Sequence, residues 1–80
     1  MDSEKRYNKV FMECFSINEE FLTDELNVST LEGWDSVAQI QLVSALEVEF
    51  DIMMDPDDIV EFTSYLIGKG ILKKYNIAFI

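Results

Sequence analysis

Residues 33–50 read GWDSVAQIQLVSALEVEF. A polar loop ends at the Gly-Trp pair, and either Asp35 or Ser36 is placed to cap a helix that begins there. Because neither Gly nor Pro interrupts Val37–Phe50, we predict one helix over about 36–50. Its apolar side chains fall at helical spacing and predict a buried stripe made of Leu42, Val43, Leu46 and Phe50.

This helix has a second face that mixes apolar with polar residues. Val37, Ile40 and Val48 lie off the buried stripe, and Gln41, Ser44 and Glu47 lie beside them. Apolar side chains that lie outside the core are typical of a surface that contacts a partner.

The chain before this helix predicts one further helix and a long loop. A helix over about 4–15, with Ser3 as its N-cap, has an apolar stripe of Tyr7, Val10, Phe11, Cys14 and Phe15. Cys14 lies on that stripe, which favours a buried small apolar residue over a reactive thiol. Residues 16–35 lose the periodicity and predict a loop anchored by Leu26 and Leu31, with a helical turn near 18–22.

Two helices are predicted after Phe50. Pro56 suits the first turn of a short helix over about 56–62, with Asp55 as its cap and Ile59 and Phe62 buried. Thr63 or Ser64 caps a fourth helix over about 64–75. Its inward residues are either Tyr65, Leu72 and Tyr75 or Ile67, Ile71 and Tyr75. The apolar tail, residues 76–80, either docks on the core or forms an interaction segment.

Together these elements predict an all-α fold. We expect a single domain over residues 1–80: a small four-helix bundle with three main helices, a short third helix and a long first loop. No segment shows the alternation of a strand.

The charge distribution limits the possible partners. The net charge is −10, and no Lys or Arg lies between Val10 and Gly68, where all the acids except Asp2 and Glu4 are found. Such a surface repels nucleic acid and anionic lipid and attracts a protein with a basic docking patch.

Composition also excludes several kinds of site. The chain has no His and one Cys, which removes His-activated nucleophiles, His-containing zinc sites and internal disulfides. The acids between Asp51 and Glu61 lack the spacing of a calcium loop, so no metal site is predicted. We expect no enzymatic activity. No run spans a membrane and no signal peptide is recognisable, so we expect a cytoplasmic protein without membrane insertion. We also expect the protein to be a monomer.

Ser36 is the candidate functional residue. A phosphodiester on its hydroxyl would lie at a helix N-terminus, where free N–H groups and the helix dipole favour negative charge. Val37 and Ile40 offer an apolar surface beside it for an attached chain. The residues alone leave a second interpretation open, in which Ser36 is only a helix cap on an acidic helical interaction module.

The stretch Gly33–Val37, the following Gln41–Phe50, Pro56 and the Thr63-Ser64 pair resemble the acyl carrier proteins, including their Asp-Ser signature and acidic, aromatic helix end. The resemblance implies that a phosphopantetheinyl transferase attaches 4′-phosphopantetheine from coenzyme A to Ser36, beside Asp35. It also implies delivery of acyl or aminoacyl thioesters to loading, transferring or condensing enzymes with basic docking patches. The partner-binding residues would be Val37, Ile40, Gln41, Glu47 and Glu49, and the acyl pocket would comprise Leu46, Met54, Ile59 and Phe62.

Departures from the family pattern point to a specialised carrier. Fatty-acid carriers usually have acids where this chain has Ala38 and Gln41, and Val37 replaces the frequent Leu. Ile59 and Phe62 are bulky for a pocket that shelters a long chain. The resemblance therefore implies a polyketide, peptide-type or surface lipid or sugar acylation pathway, with fatty acid biosynthesis as the other option.

Overall fold

The computed structural model describes residues 2–79 and contains four α-helices. They are α1 (Ser3–Phe15), α2 (Ser36–Phe50), α3 (Pro56–Glu61) and α4 (Tyr65–Lys73). No β-strand occurs within residues 2–79, where an isolated bridge pairs Asn27 with Ser64. The predicted all-α fold, an acyl-carrier-like helical bundle, is confirmed.

The observed helix caps correct one detail of the prediction and decide another. Asp2 caps α1, since its Oδ1 accepts from the backbone N–H of Lys5 at 2.8 Å. The predicted Ser3 cap is therefore wrong, and Ser3 is the first residue of the helix. Ser64, one of the two residues considered, caps α4 by accepting from Ile67 N at 2.9 Å. Asp55 is the N-cap residue of α3, as predicted, although its side chain makes no capping hydrogen bond.

Aromatic side chains dominate the core, and Phe11 lies at its centre. The Phe11 ring lies 4.9 Å from Tyr7, 5.6 Å from Trp34 and 6.3 Å from Phe62, measured between ring centroids. Tyr7 also donates its hydroxyl to the carbonyl of Tyr65 at 2.6 Å, which satisfies a polar group in the interior. The largest fully buried side chains are Tyr7, Phe11, Phe62, Leu42, Leu46 and Leu72.

Cys14 lies at the edge of this core. Its side chain is half-buried and packs against the apolar cluster. Burial, together with the neighbouring charge of Glu13, raises the pKa of the thiol, which keeps it protonated at neutral pH. The environment therefore agrees with the predicted packing role rather than with a reactive thiol.

The long loop between α1 and α2 packs on the core through its predicted anchors. It contains a short 3-10 turn over Glu19–Phe21. Leu26 is buried and Leu31 packs partly against the core, so both predicted anchors are confirmed. Backbone hydrogen bonds join Tyr65 N to Leu26 O at 2.9 Å and Val28 N to Thr63 O at 3.0 Å. These bonds fix the loop to the junction between α3 and α4.

The fourth helix follows neither predicted inward set completely. Its buried residues are Tyr65, Gly68, Ile71 and Leu72, whereas Ile67 is exposed, so the set that contained Ile67 as an inward residue is wrong. After α4, Ile77 is buried and the Phe79 ring meets Tyr7 edge-on at 5.3 Å. The tail therefore docks on the core as far as Phe79, while Ile80 lies outside the described residues.

An unexpected buried carboxylate joins α3 to the end of α4. Asp58 is 6% exposed, forms an ion pair with Lys74, and accepts from the Tyr75 hydroxyl at 2.6 Å. The same Tyr75 hydroxyl accepts from Asp55 N at 2.9 Å. The hydrogen bonds from Lys74 and then Tyr75 lower the pKa of Asp58.

Replacing Asp58 with Asn is expected to destabilise the fold at neutral pH but not in strong acid. A carboxyl whose pKa is lowered on folding stabilises the protein above its unfolded pKa of about 4, and loses that effect as the pH falls through the folded value. Thermal melts of the wild type and Asp58→Asn should therefore differ at about pH 7 and converge below about pH 4. Asp57→Asn, on the exposed side of α3, controls for net charge, and a gap that persists in strong acid would contradict the account.

Candidate functional site

The functional site begins at the first residue of α2. Asp35 Oδ1 accepts from the backbone N–H of Ala38 at 2.9 Å and so caps the helix. The sequence left Asp35 and Ser36 as alternative caps, and the structure assigns the cap to Asp35. Ser36 is the first helical residue and is exposed. The capping hydrogen bond is made by the Asp35 carboxylate and does not involve the Ser36 hydroxyl. The hydroxyl therefore lies at the positive end of the α2 dipole, open to a reagent.

A groove of about 460 Å³ opens beside Ser36. It runs between the start of α2, the end of α3 and the loop at Val28. Apart from Asp35, Ser36, Gln39 and Thr63 its lining is apolar, and the apolar residues are Val28, Trp34, Ile40, Ile59, Val60 and Phe62. Such a groove suits an extended ligand that has apolar segments and is attached at one end.

The four residues assigned to an acyl pocket divide into two pairs. Ile59 and Phe62 line the groove beside Ser36. Leu46 and Met54 do not line it, and both are buried in the closed core. The structure therefore brings only half of the predicted pocket to the candidate site.

Gln39 is a site residue that the sequence reasoning missed. Its Oε1 accepts from the indole Nε1 of Trp34 at 2.5 Å, and its Nε2 donates to the carbonyls of Ile59 at 2.8 Å and Phe62 at 2.9 Å. A signal was present in the sequence, because Gln39 precedes Leu42 by one helical turn and so lies on the predicted buried stripe. A polar residue on that stripe needs buried partners.

The residues proposed for partner contact differ in their surroundings. Val37 and Ile40 are 63% and 65% exposed, and Gln41 is exposed next to them. Glu49 instead pairs with Arg6, whose Nε lies 2.8 Å from Glu49 Oε2. Glu47 Oε2 accepts from the backbone N–H of Met54 at 2.9 Å. Both acids therefore have intrachain partners at the far end of α2.

A profile of the phosphopantetheine attachment site family matches residues 10–65. The chain belongs to this family. A search of curated proteins found no significant match to it. Members of the family are carriers to which 4′-phosphopantetheine is attached covalently, so this chain is a phosphopantetheine carrier. Membership implies contact with a phosphopantetheinyl transferase and with enzymes that handle acyl groups.

The described residues fit the phosphopantetheine group. An exposed hydroxyl at a helix N-terminus suits a phosphodiester, because the free N–H groups of the first turn favour its negative charge. The adjoining apolar groove suits the rest of the arm. No helix within residues 2–79 has the length and apolar character needed to cross a membrane.

Proposed function

We propose that Ser36 carries the 4′-phosphopantetheine arm and that this chain delivers acyl or aminoacyl groups to partner enzymes. The observation that carries the proposal is the position of Ser36, whose exposed hydroxyl opens on an apolar groove while Asp35 provides the helix cap. The arm supplies a thiol that holds the cargo as a thioester. We further propose that the chain has no catalytic role of its own, as is typical of carrier domains.

The residues around Ser36 have separate roles in binding the arm. Asp35 fixes the turn that presents the hydroxyl, and the first N–H groups of α2 stabilise the negative phosphate. Ile40, Ile59 and Val60 provide an apolar surface along the groove. The chain therefore positions the arm, and the enzymes that receive the cargo perform the chemistry.

We propose that partners dock on the exposed side of α2, chiefly on Val37, Ile40 and Gln41. The apolar pair is well exposed close to Ser36, and no acid lies in the first turn of α2. Glu47 and Glu49 add negative potential further along, although each also has a partner within the chain. The net charge of −10 favours partners with a basic surface.

The uncharged first half of α2 supports a specialised pathway over housekeeping fatty acid synthesis. Ala38 and Gln41 stand where fatty-acid carriers usually have acids, so enzymes that rely on those acids would dock weakly. We therefore propose a polyketide, peptide-type or surface lipid or sugar acylation pathway.

The exposure of Val37 and Ile40 also favours one alternative, a helical module that binds a protein partner without a covalent arm. Modification distinguishes the two functions. Incubation with coenzyme A and a broad-specificity phosphopantetheinyl transferase should add one phosphopantetheine to the wild type, as measured by intact mass. Ser36→Ala should gain nothing, whereas Ser44→Ala, which removes another exposed serine of α2, should be modified like the wild type. An unmodified wild type beside an active control carrier would favour the interaction module.

A further inference from the structure

Gln39 makes the polar connection between α2 and the end of α3. Its amide donates to two carbonyls, those of Ile59 and Phe62, and its carbonyl oxygen accepts from Trp34. The last carbonyls of a helix have no partner within the helix, and α3 ends at Glu61. Gln39 therefore gives the Phe62 carbonyl its hydrogen bond and is a second donor to the Ile59 carbonyl, which also accepts from the backbone N–H of Phe62 at 3.3 Å.

This connection lies at the boundary between the surface groove and the core. Gln39 lines the groove together with Trp34 and Phe62. Leu46 is fully buried and Met54 is nearly so, and both are therefore closed to solvent in this conformation. An apolar chain could pass from the groove into the core only if α3 moved away from α2.

Such a movement would break all three Gln39 hydrogen bonds. It would leave the indole N–H of Trp34 and the Phe62 carbonyl without partners next to an apolar chain, and it would remove one of the two donors to the Ile59 carbonyl. Unsatisfied buried polar groups are strongly unfavourable. A cargo that remains in the groove breaks none of these bonds. The closed arrangement is therefore favoured even when the cargo is apolar.

We propose that Gln39 determines cargo specificity by holding the α2–α3 interface closed, so that the acyl group stays in the surface groove rather than entering the core. The proposal rests on the attachment of the arm to Ser36. It makes Gln39 a positioning residue that acts through α3. Partner enzymes would then meet a thioester whose chain is already exposed, and long chains would gain little protection from water.

The test compares thioester hydrolysis for acetyl and octanoyl groups, loaded by the transferase from the corresponding acyl coenzyme A. Each rate is divided by that of the free acyl-pantetheine thioester. In the wild type the two ratios should agree within about twofold. In Gln39→Leu, which cannot form the three hydrogen bonds, octanoyl should hydrolyse about fivefold more slowly while acetyl is unchanged. Ser44→Leu adds the same side chain at an exposed position of α2 and should behave like the wild type.

Two results would overturn the proposal. One is strong protection of octanoyl in the wild type, and the other is an unchanged octanoyl rate in a Gln39→Leu protein that circular dichroism shows to be folded. If that variant does not fold, Gln39→Glu provides the second test, since it keeps the oxygen that accepts from Trp34 but cannot donate to the carbonyls. Absence of any loading would instead count against Ser36 as the attachment site.

Discussion

Replacing Phe11 with alanine is expected to destabilise the fold by about 4 kcal/mol, because it empties the centre of the aromatic core. Phe11 is fully buried and its ring contacts Tyr7, Trp34, Phe62 and Tyr65. A loss of this size approaches the whole stability expected for a domain of 80 residues. Urea denaturation followed by far-UV circular dichroism measures it without relying on the fluorescence of Trp34.

Phe21→Ala is the matched control for that experiment. Phe21 lies in the 3-10 turn of the long loop and is 55% exposed, so the same truncation there should change stability by no more than about 0.5 kcal/mol. Equal midpoints for the two variants would show that the aromatic cluster around Phe11 does not dominate the stability.

Gly68→Ala should destabilise the protein although alanine is the better helix former. A Cβ built on Gly68 collides with the Phe62 ring and with the Tyr7 hydroxyl. Moving Tyr7 would also stretch its hydrogen bond to Tyr65 O, now 2.6 Å long. The steric cost exceeds the gain in helix propensity, and we expect a net loss of about 2 kcal/mol.

Gly70→Ala, on the same helix, should have the opposite sign. No atom lies within 4 Å of a Cβ built at Gly70, so the substitution gains helix propensity without a collision. We expect it to stabilise the fold by up to about 1 kcal/mol. Thermal melts of the two glycine variants should shift in opposite directions, and a shift in the same direction would contradict the close packing of Tyr7 and Phe62 against Gly68.

Local pattern was sufficient to predict α1 and α2. The spacing of Tyr7, Val10 and Phe11 in α1, and of Leu42, Val43 and Leu46 in α2, places each set on one face, and these six residues are buried. At the start of α2 the sequence offered two candidates for the N-cap, Asp35 and Ser36. Only the observed hydrogen bond to Ala38 N could decide between them.

Features that depend on distant residues were not predicted. Asp58 is buried because Lys74 and Tyr75, which follow α4, pack against it and form hydrogen bonds with it. The sequence of α3 alone cannot predict these contacts. Gly68 is buried because Tyr7 of α1 and Phe62 approach it closely. Glycine has no side chain, so the spacing of apolar residues could not show that this position is buried. The role of Gln39 likewise requires the end of α3, twenty residues further along the chain, to lie against α2.

The same limit explains the divided acyl pocket. The resemblance to acyl carriers placed Leu46, Met54, Ile59 and Phe62 together between α2 and α3. Which of them faces a groove and which faces the core depends on how close the two helices lie. In this chain the Gln39 hydrogen bonds hold them together, and Leu46 and Met54 are enclosed.

The most direct test of the central claim is to locate the phosphopantetheine by tandem mass spectrometry of the modified protein. Trypsin has no site between Lys9 and Lys69, but a Glu-specific protease can release Gly33–Glu47, in which the serines are Ser36 and Ser44. Fragmentation of that peptide should place the added mass on Ser36. An added mass on Ser44, or an unmodified peptide from a reaction in which a control carrier is fully modified, would contradict the account.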